Sequence, residues 1–150
     1  MDTVNRGEPN RIRTYSGADR REYQRMRLAL WPDCDDSDID PWMARPDATT
    51  FLAVRADDTL CGFVEVGARS IAEACETSPV GFLEGWYVDP DARGDGIGRA
   101  LLAEAEEWAR AQGYTEMGSD AELDNLTGHD AHRRCGYEEV GRVVQFRKLL

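Results

Sequence analysis

Residues 80–98 read VGFLEGWYVDPDARGDGIG, and this stretch decides the fold. Its first part, Val80–Val88, is mostly apolar with one acid, Glu84, which is typical of a strand buried in the middle of a sheet. The loop that follows ends in three alternating glycines. Because glycine has no side chain, such a loop leaves its backbone open to close approach by a ligand. The stretch therefore predicts a central strand that leads into a ligand-accessible loop.

A helix is predicted directly after this loop. Ile97, Leu101, Ala105 and Trp108 recur at helical spacing, and Gly113 closes the pattern. The first turn of a helix has free N–H groups and the positive end of the helix dipole, so the arrangement favours a phosphate or pyrophosphate. A glycine string can equally make a simple turn, and both interpretations stay open. The spacing matches neither a dinucleotide fingerprint nor a Walker loop.

The rest of the chain predicts a mixed α/β fold (α+β) with a mixed sheet in the middle. Residues 1–9 are polar and predict a loose N-terminal tail, and residues 10–150 a single domain. The five aspartates of residues 33–40 predict a solvated loop or a helix entry. The further predicted elements are a strand at 11–15, a helix from Asp19 to Pro32, a hairpin at 51–55 and 60–66, a strand at 114–120, a helix at 123–135 and a strand at 137–149.

The charge of the chain excludes some partners. Its 150 residues have a net charge of −11, which divides into +3 for residues 1–27 and −14 for residues 28–150. A body this acidic repels a phosphate backbone, so we expect no nucleic acid partner. It attracts cations, although solubility alone also explains such a charge. No run approaches the length of a membrane helix and the first residues lack the apolar core of a signal peptide, so we expect no membrane partner.

The cysteines and histidines do not predict a metal site. The two histidines, His129 and His132, lack the HExxH arrangement, and the four cysteines show no CxxC pairing. We therefore expect that the protein binds no metal. We also expect the cysteines to be free thiols in a reducing cytoplasm.

Two sets of motifs resemble a known family. Arg93-Gly-Asp-Gly-Ile-Gly98, after Val88-Asp-Pro90, resembles the acetyl-coenzyme A signature of the Gcn5-related N-acetyltransferases, the GNAT family, and the element order is similar over nearly the whole chain after residue 10. Several shorter stretches more specifically resemble the aminoglycoside 6′-N-acetyltransferases of this family: 30–33, 77–80, 82–85, 119–125 and 129–136. The resemblance implies the GNAT fold, a single domain with a central, mostly antiparallel sheet flanked by helices. By analogy it also implies a homodimer.

The resemblance implies acetyl-CoA as acetyl donor and assigns residues to it. The backbone of Trp86, Tyr87 and Val88 would hold the acetyl and pantetheine parts. Asn125 matches a position that contacts the coenzyme, although capping of the following helix explains it equally well. The pyrophosphate would bind the loop, whose residues are Arg93, Gly94, Asp95, Gly96, Ile97, Gly98 and Arg99.

Two acids are the candidate catalytic residues, Glu84 and Asp120. Glu84 lies in an apolar strand, where a charge is costly unless it is paired or used. Either it is a salt-bridged structural acid, or it binds the substrate ammonium and accepts its proton by way of water. Asp120 is similar to the second acid of the family, or it is an N-cap. Two carboxylates would attract the cation, but the same attraction opposes its deprotonation.

Three further residues are candidates for substrate binding. By resemblance Trp31 lines the sugar pocket, although a core tryptophan needs no such role. Asp33 would offer a partner to a polyamine. His132 stands where many acetyltransferases have a tyrosine acid, and it is either a proton donor or a packed residue of the helix face. Some relatives have a histidine at the position of Cys34 and an acid at the position of Gly141. These differences affect the range of drugs that is accepted more than the reaction.

The function predicted first is acetylation of the 6′-amine of aminoglycoside antibiotics by direct attack in a ternary complex, which would give drug resistance. An acidic cleft would collect such a cationic substrate. The second hypothesis is an acetyltransferase for another small amine, a polyamine or a peptide N-terminus. The third is a module that binds acyl-CoA or drug without turnover.

Overall fold

The apolar run Val80–Val88 forms strand β4 with the predicted bounds. It lies in a five-stranded sheet of order β1-β2-β3-β4-β5 in a computed structural model, which describes residues 11–150. The other elements are β1 (Arg11–Thr14), α1 (Arg20–Leu30), α2 (Ile39–Met43), β2 (Ala48–Val54), β3 (Leu60–Arg69), α3 (Ile97–Ala111), β5 (Met117–Ser119) and α4 (Leu126–Arg134).

The sheet is mixed. Strands β1 to β4 are antiparallel neighbours, and β5 pairs with β4 in parallel. Helices cover both faces, so the predicted fold class, α/β with a mostly antiparallel sheet flanked by helices, is confirmed. On one face the apolar stripe of α3, with Leu101 and Ala105 fully buried, packs on Val64 and Leu83. On the other face Tyr23 and Met26 of α1 form a second core with Leu52, Phe63 and Tyr87.

Three predicted elements differ from the structure. The strand predicted at 114–120 is shorter, Met117–Ser119, and the helix predicted from Leu123 begins at Leu126, because the side chain of Asn125 caps it. The strand predicted at 137–149 is wrong: residues 138–150 have no regular secondary structure and are exposed. A strand needs a neighbour for its backbone hydrogen bonds, and no other described strand of the chain pairs with this segment.

The acidic run of residues 33–40 becomes a short 3₁₀ turn, Asp36–Asp38, that leads into α2. The predicted tail at 1–9 lies outside the described residues. Between residues 11 and 150, no helix is long and apolar enough to cross a bilayer. Over the same range, no cluster of three or more His, Cys, Asp or Glu side chains is arranged to hold a metal ion.

Candidate active site

A β-bulge places Glu84 in the site. Glu65 of β3 pairs with Gly85 and Val66 pairs with Leu83, so Glu84 is an extra residue on β4. The bulge also reverses the alternation of the strand. Leu83 packs on the α3 face, whereas a Cβ on Gly85 would face Trp31 on the opposite side. The strand therefore presents different faces before and after Glu84.

Strands β4 and β5 separate close to this bulge. Their pairing covers only Gly81–Leu83 of β4, and among the described residues no strand lies beside Gly85–Val88 on that edge. The backbone N–H and C=O groups of this edge are available to an extended ligand. The edge leads toward the glycine loop, to which the indole Nε1 of Trp86 is tied by donating to the carbonyl of Gly98 at 2.9 Å.

The glycine loop fits a pyrophosphate. Gly94 and Gly96 have φ of 91° and 81°, a conformation that L side chains rarely adopt, and a Cβ at either position would meet nothing within 4 Å. Gly96 is the N-cap of α3, and the first turn of α3 contains no acid that would repel an anion from its N–H groups. Asp95 is exposed in the same loop and is its one negative charge.

The two arginines of the loop are tied to backbone carbonyls. The Nε of Arg93 donates to Val88 at 2.8 Å, and Nη2 of Arg99 donates to Arg134 at 3.0 Å. Both side chains keep further N–H groups for an anion. The arginines thus add positive charge beside the free helix N–H groups.

A buried carboxylate that sequence reasoning missed anchors the start of this loop. Asp89 is 6% exposed and accepts two hydrogen bonds from Arg25, both at 3.0 Å, and one from Arg55 at 3.2 Å. Arg55 also binds Asp91 through two bonds of 2.9 Å. Burial acts to raise the pKa of Asp89, but the hydrogen bonds and charge of Arg25, together with the bond from Arg55, lower the pKa on balance. The network fixes the path of the chain between β4 and the glycines.

A cavity of about 410 Å³ lies on the α1 face of the sheet. Glu84 and Trp31, both predicted as site residues, line it. Asp33, Asp120 and His132 are not among the residues that line it. The members used below are Arg27, Trp31, Asp38, Trp42, Arg45, Glu65 and Glu84.

The floor of the cavity contains a second acid, Glu65, that the sequence analysis did not single out. It is 4% exposed and accepts hydrogen bonds from the hydroxyl of Tyr23 and from Nε of Arg27, the latter at 3.2 Å. Burial raises the pKa of Glu65, and the bonds from Tyr23 and Arg27 offset part of this effect. The signal was the one that marked Glu84, an acid in an otherwise apolar strand.

Glu84 is paired with an arginine. Nε and Nη2 of Arg69 donate to its two carboxylate oxygens at 2.8 and 2.7 Å, and the pKa of Arg69 is raised by this contact. Each carboxylate oxygen keeps a second lone pair for another donor. Glu84 is therefore salt-bridged, as one of the two interpretations requires, and its carboxylate keeps room for an ammonium, as the other requires.

The structure separates the two interpretations of Asp120 and Asn125. Asp120 is exposed just after β5 and does not cap α4. The cap is Asn125, whose side-chain oxygen accepts from the N–H of Gly128 at 3.0 Å. The capping role of Asp120 is therefore wrong, and that of Asn125 is confirmed.

His132 lies where β4 and β5 part, not in the cavity. Its Nδ1 is 2.6 Å from the carbonyl of Gly128, and its Nε2 is 2.8 Å from the hydroxyl of Ser119. Since a carbonyl only accepts, Nδ1 donates to Gly128, and Nε2 shares the second hydrogen bond with the Ser119 hydroxyl. The ring also packs edge-on against Trp86 and Tyr137.

Comparisons with known proteins place these features in a family. The sequence model of the family described as "Acetyltransferase (GNAT) family" matches residues 18–137. An aminoglycoside N(6′)-acetyltransferase type 1 of Stenotrophomonas maltophilia is 45% identical over 93% of both chains.

Two solved structures are also similar. That of a 6′-N-acetyltransferase of Acinetobacter haemolyticus has a TM-score of 0.85 and 34% identity, and covers 93% of this chain and 99% of its own. The enzyme AAC(6′)-Iy in complex with the bisubstrate analogue CoA-S-monomethyl-acetylneamine has a TM-score of 0.86 and 29% identity, with 95% and 100% covered.

Proposed function

Since the chain belongs to the acetyltransferase (GNAT) family, we propose that it transfers an acetyl group from acetyl-CoA to the 6′-amino group of aminoglycoside antibiotics, and so gives resistance to them. The observation that carries the proposal is the bulge at Glu84. It sets one carboxylate between a cavity that takes a sugar and an open strand edge that takes an acyl donor. Residues 10–150 form the acetyltransferase domain.

The donor binds along β4 and the glycine loop. The unpaired backbone of Trp86, Tyr87 and Val88 holds the pantetheine arm and the thioester carbonyl, as an added strand would be held. The N–H groups at the start of α3, with Arg93 and Arg99, hold the pyrophosphate. The coenzyme supplies the activated acetyl group, and the protein supplies its position.

The acceptor amine lies at Glu84. Both acids, Glu84 and Asp120, attract the 6′-ammonium, and Glu84 accepts its proton through water so that the neutral amine attacks the thioester directly. The C–S bond then breaks, and coenzyme A leaves as the thiol with the second proton of the amine. No acyl-enzyme is needed, which agrees with four cysteines that bear no catalytic role. The contact with Arg69 prevents Glu84 from binding the cation too tightly for deprotonation.

The sugar packs on Trp31 at the wall of the cavity. The indole lies against the sheet because residue 85 is glycine: a Cβ there would be 2.5 Å from Cη2 of Trp31. Asp33, on the exposed turn after Trp31, contributes to the field that attracts a polycation. His132 acts on the donor side, where the Ser119 hydroxyl bound to it faces the gap between β4 and β5.

Thiol release from acetyl-CoA tests the function. We expect release with kanamycin and tobramycin and much less with spermidine. Release with spermidine alone would favour the second hypothesis, a polyamine acetyltransferase. Binding of kanamycin without thiol release would favour a non-catalytic module.

We also propose that the chain works as a homodimer in the cytoplasm, without nucleic acid or membrane partners. The residues 138–150 support a dimer, because this arm exposes Val143, Val144 and Phe146, the last 92% accessible, and no described strand of the sheet pairs with it. Light scattering should give twice the chain mass. Phe146→Asp should lower the measured mass toward that of one chain, and Gln145→Asp should leave it unchanged. A monomeric wild type would refute the dimer. The four free cysteines agree with a reducing compartment.

A further inference from the structure

The cavity extends well beyond the reacting carboxylate. It runs from Glu84 on β4 past Glu65 on β3 to Trp42 and Asp38, in the segment between α1 and β2. Cη2 of Trp42 lies over Gly67, where a Cβ would be 3.2 Å away. From strand spacing and rise, Gly67 is about 8 Å from Glu84. One aminosugar at Glu84 therefore leaves the Trp42 end of the cavity open to a second ring.

The carboxylates of the cavity differ in what already binds them. Glu65 is paired with Arg27, and Glu84 with Arg69. Asp38 has no arginine partner among the residues that the structure describes, and its carboxylate accepts the backbone N–H of Asp35 at 3.0 Å. An incoming ammonium meets less competition at Asp38 than at either other acid.

The position of Asp38 is distinct within its acidic run. Asp36 and Asp40 both bind Arg20, at 3.0 and 2.5 Å, and neither lines the cavity. Asp33, the acid that the sequence predicts for substrate binding, is exposed and outside it as well. Of the five aspartates in residues 33–40, Asp38 is the one on the cavity wall.

Trp42 is held rigidly beside Asp38. Its Nε1 donates to the hydroxyl of Thr50 at 2.8 Å, and the guanidinium of Arg45 lies 5.1 Å from its ring centroid. Arg45 in turn binds Asp47 and the carbonyl of Ala68, so its charge is partly neutralised and its position fixed. A fixed indole costs little entropy when a sugar packs against it.

We propose that Asp38 and Trp42 form a second subsite, which binds an ammonium-bearing ring of the substrate other than the ring that is acetylated. The inference rests on the proposed function and narrows it: the acceptors are polyamines whose ammonium groups lie on separate rings, and a single aminosugar is a poor substrate. Asp38 binds the distal ammonium, and Trp42 packs against the ring that bears it. Both are specificity-determining residues and take no part in acetyl transfer.

The test measures how the variant Asp38→Asn binds and acetylates a large and a small amine. Asparagine keeps the side-chain oxygen to which the N–H of Asp35 donates, and it removes the negative charge. The acceptors are kanamycin and methyl 6-amino-6-deoxyglucopyranoside. For kanamycin we expect KM and the calorimetric Kd to rise about tenfold, or about 1.4 kcal/mol, with kcat within about twofold. For the single-ring amine and acetyl-CoA we expect no change. Trp42→Ala should act in the same way, and Trp42→Phe should restore most of the affinity.

Asp40→Asn is the matched control, since Asp40 is in the same run but outside the cavity. It should leave both acceptors unaffected. An unchanged kanamycin Kd in Asp38→Asn, an equal loss for both acceptors, or an equal loss in Asp40→Asn would overturn the subsite. If the wild type binds kanamycin without releasing thiol, the proposed function fails while the Kd comparison still tests the subsite. If the wild type binds no kanamycin at all, both are refuted.

Discussion

Arg69 binds Glu84 through two parallel hydrogen bonds, from Nε to Oε1 at 2.8 Å and from Nη2 to Oε2 at 2.7 Å. Bidentate pairs of this kind fix the orientation of a carboxylate as well as its charge. Glu84 is thus presented to the cavity in one position by a cation that stays behind it. In the proposed function the substrate ammonium shares the carboxylate with Arg69, which already holds it in place.

Glu84→Gln tests the role of this carboxylate. If Glu84 accepts the proton of the amine, the variant should lower kcat about 10²–10⁴-fold and leave the Kd for acetyl-CoA unchanged, because the coenzyme binds backbone groups. Steady-state kinetics and calorimetry measure the two effects. Glu104→Gln, on the exposed side of α3, is the control. Unchanged kcat in Glu84→Gln would remove the residue from the mechanism.

Gly96→Val should abolish coenzyme binding, because its side chain would occupy the open space before the first turn of α3. The matched control is Gly113→Val at the other end of the same helix. Gly113 has φ of 89° against 81° for Gly96, and both have open space around the Cβ position. Both variants should therefore lose a similar stability, about 1–2 kcal/mol, and only Gly96→Val should lose affinity for CoA. Equal affinities in the two variants would refute the assignment of the loop.

Asp89→Asn should destabilise the protein at neutral pH by about 3 kcal/mol, because it leaves Arg25 and Arg55 facing a neutral group. The pKa of Asp89 is lowered in the folded chain from 3.8. Its contribution is therefore present above about pH 4 and is lost as the pH falls through the lowered value. Urea denaturation between pH 7 and pH 3 should show a steeper loss for the wild type than for the variant.

Asp91→Asn is the control for this network. Asp91 binds the same Arg55, but its side chain is 70% exposed, so its removal should cost much less stability than the removal of Asp89. Parallel pH curves for wild type and Asp89→Asn would contradict the role assigned to the buried carboxylate.

Gly85→Ala should impair acceptor binding with little effect on the donor. The added methyl group would be 2.5 Å from Cη2 of Trp31, so the indole must move from the wall of the cavity. We expect KM for kanamycin to rise about tenfold, or about 1.4 kcal/mol, and KM for acetyl-CoA to stay within about twofold. Gly17→Ala, where a Cβ meets nothing within 4 Å, serves as the control. An unaltered KM for kanamycin would show that Trp31 does not contact the sugar.

Local patterns predicted the central part of the chain well. The bounds of β4, the glycine loop and the stripe of α3 agree with the sequence analysis, because each depends on residues close in sequence. The resemblance to the GNAT family is confirmed by the match over residues 18–137. The roles of the individual site residues stay predictions.

Features that depend on two distant segments were not predictable. The bulge at Glu84 depends on how β3 pairs with β4, and Asp89 meets Arg25 from a separation of 64 residues. Asp38 lines the cavity and Asp33 does not, and this difference depends on the turn before α2. The prediction of a strand at 137–149 was wrong for a related reason. The apolar residues of this segment are suited to a sheet, but no other described strand of the chain pairs with it.

In the proposed function strand β4 serves both ligands at once, with its edge toward the donor and Gly85 under the Trp31 ring that faces the acceptor. Substitutions in that strand carry a double penalty, so selection for new antibiotics has little freedom there. The segment from Asp36 to Arg45 lies apart from the donor edge and contributes Asp38, Trp42 and Arg45 to the wall of the cavity. Bacteria that adapt to a changed drug spectrum should accumulate their replacements in this segment, and keep the inherited acetylation chemistry intact.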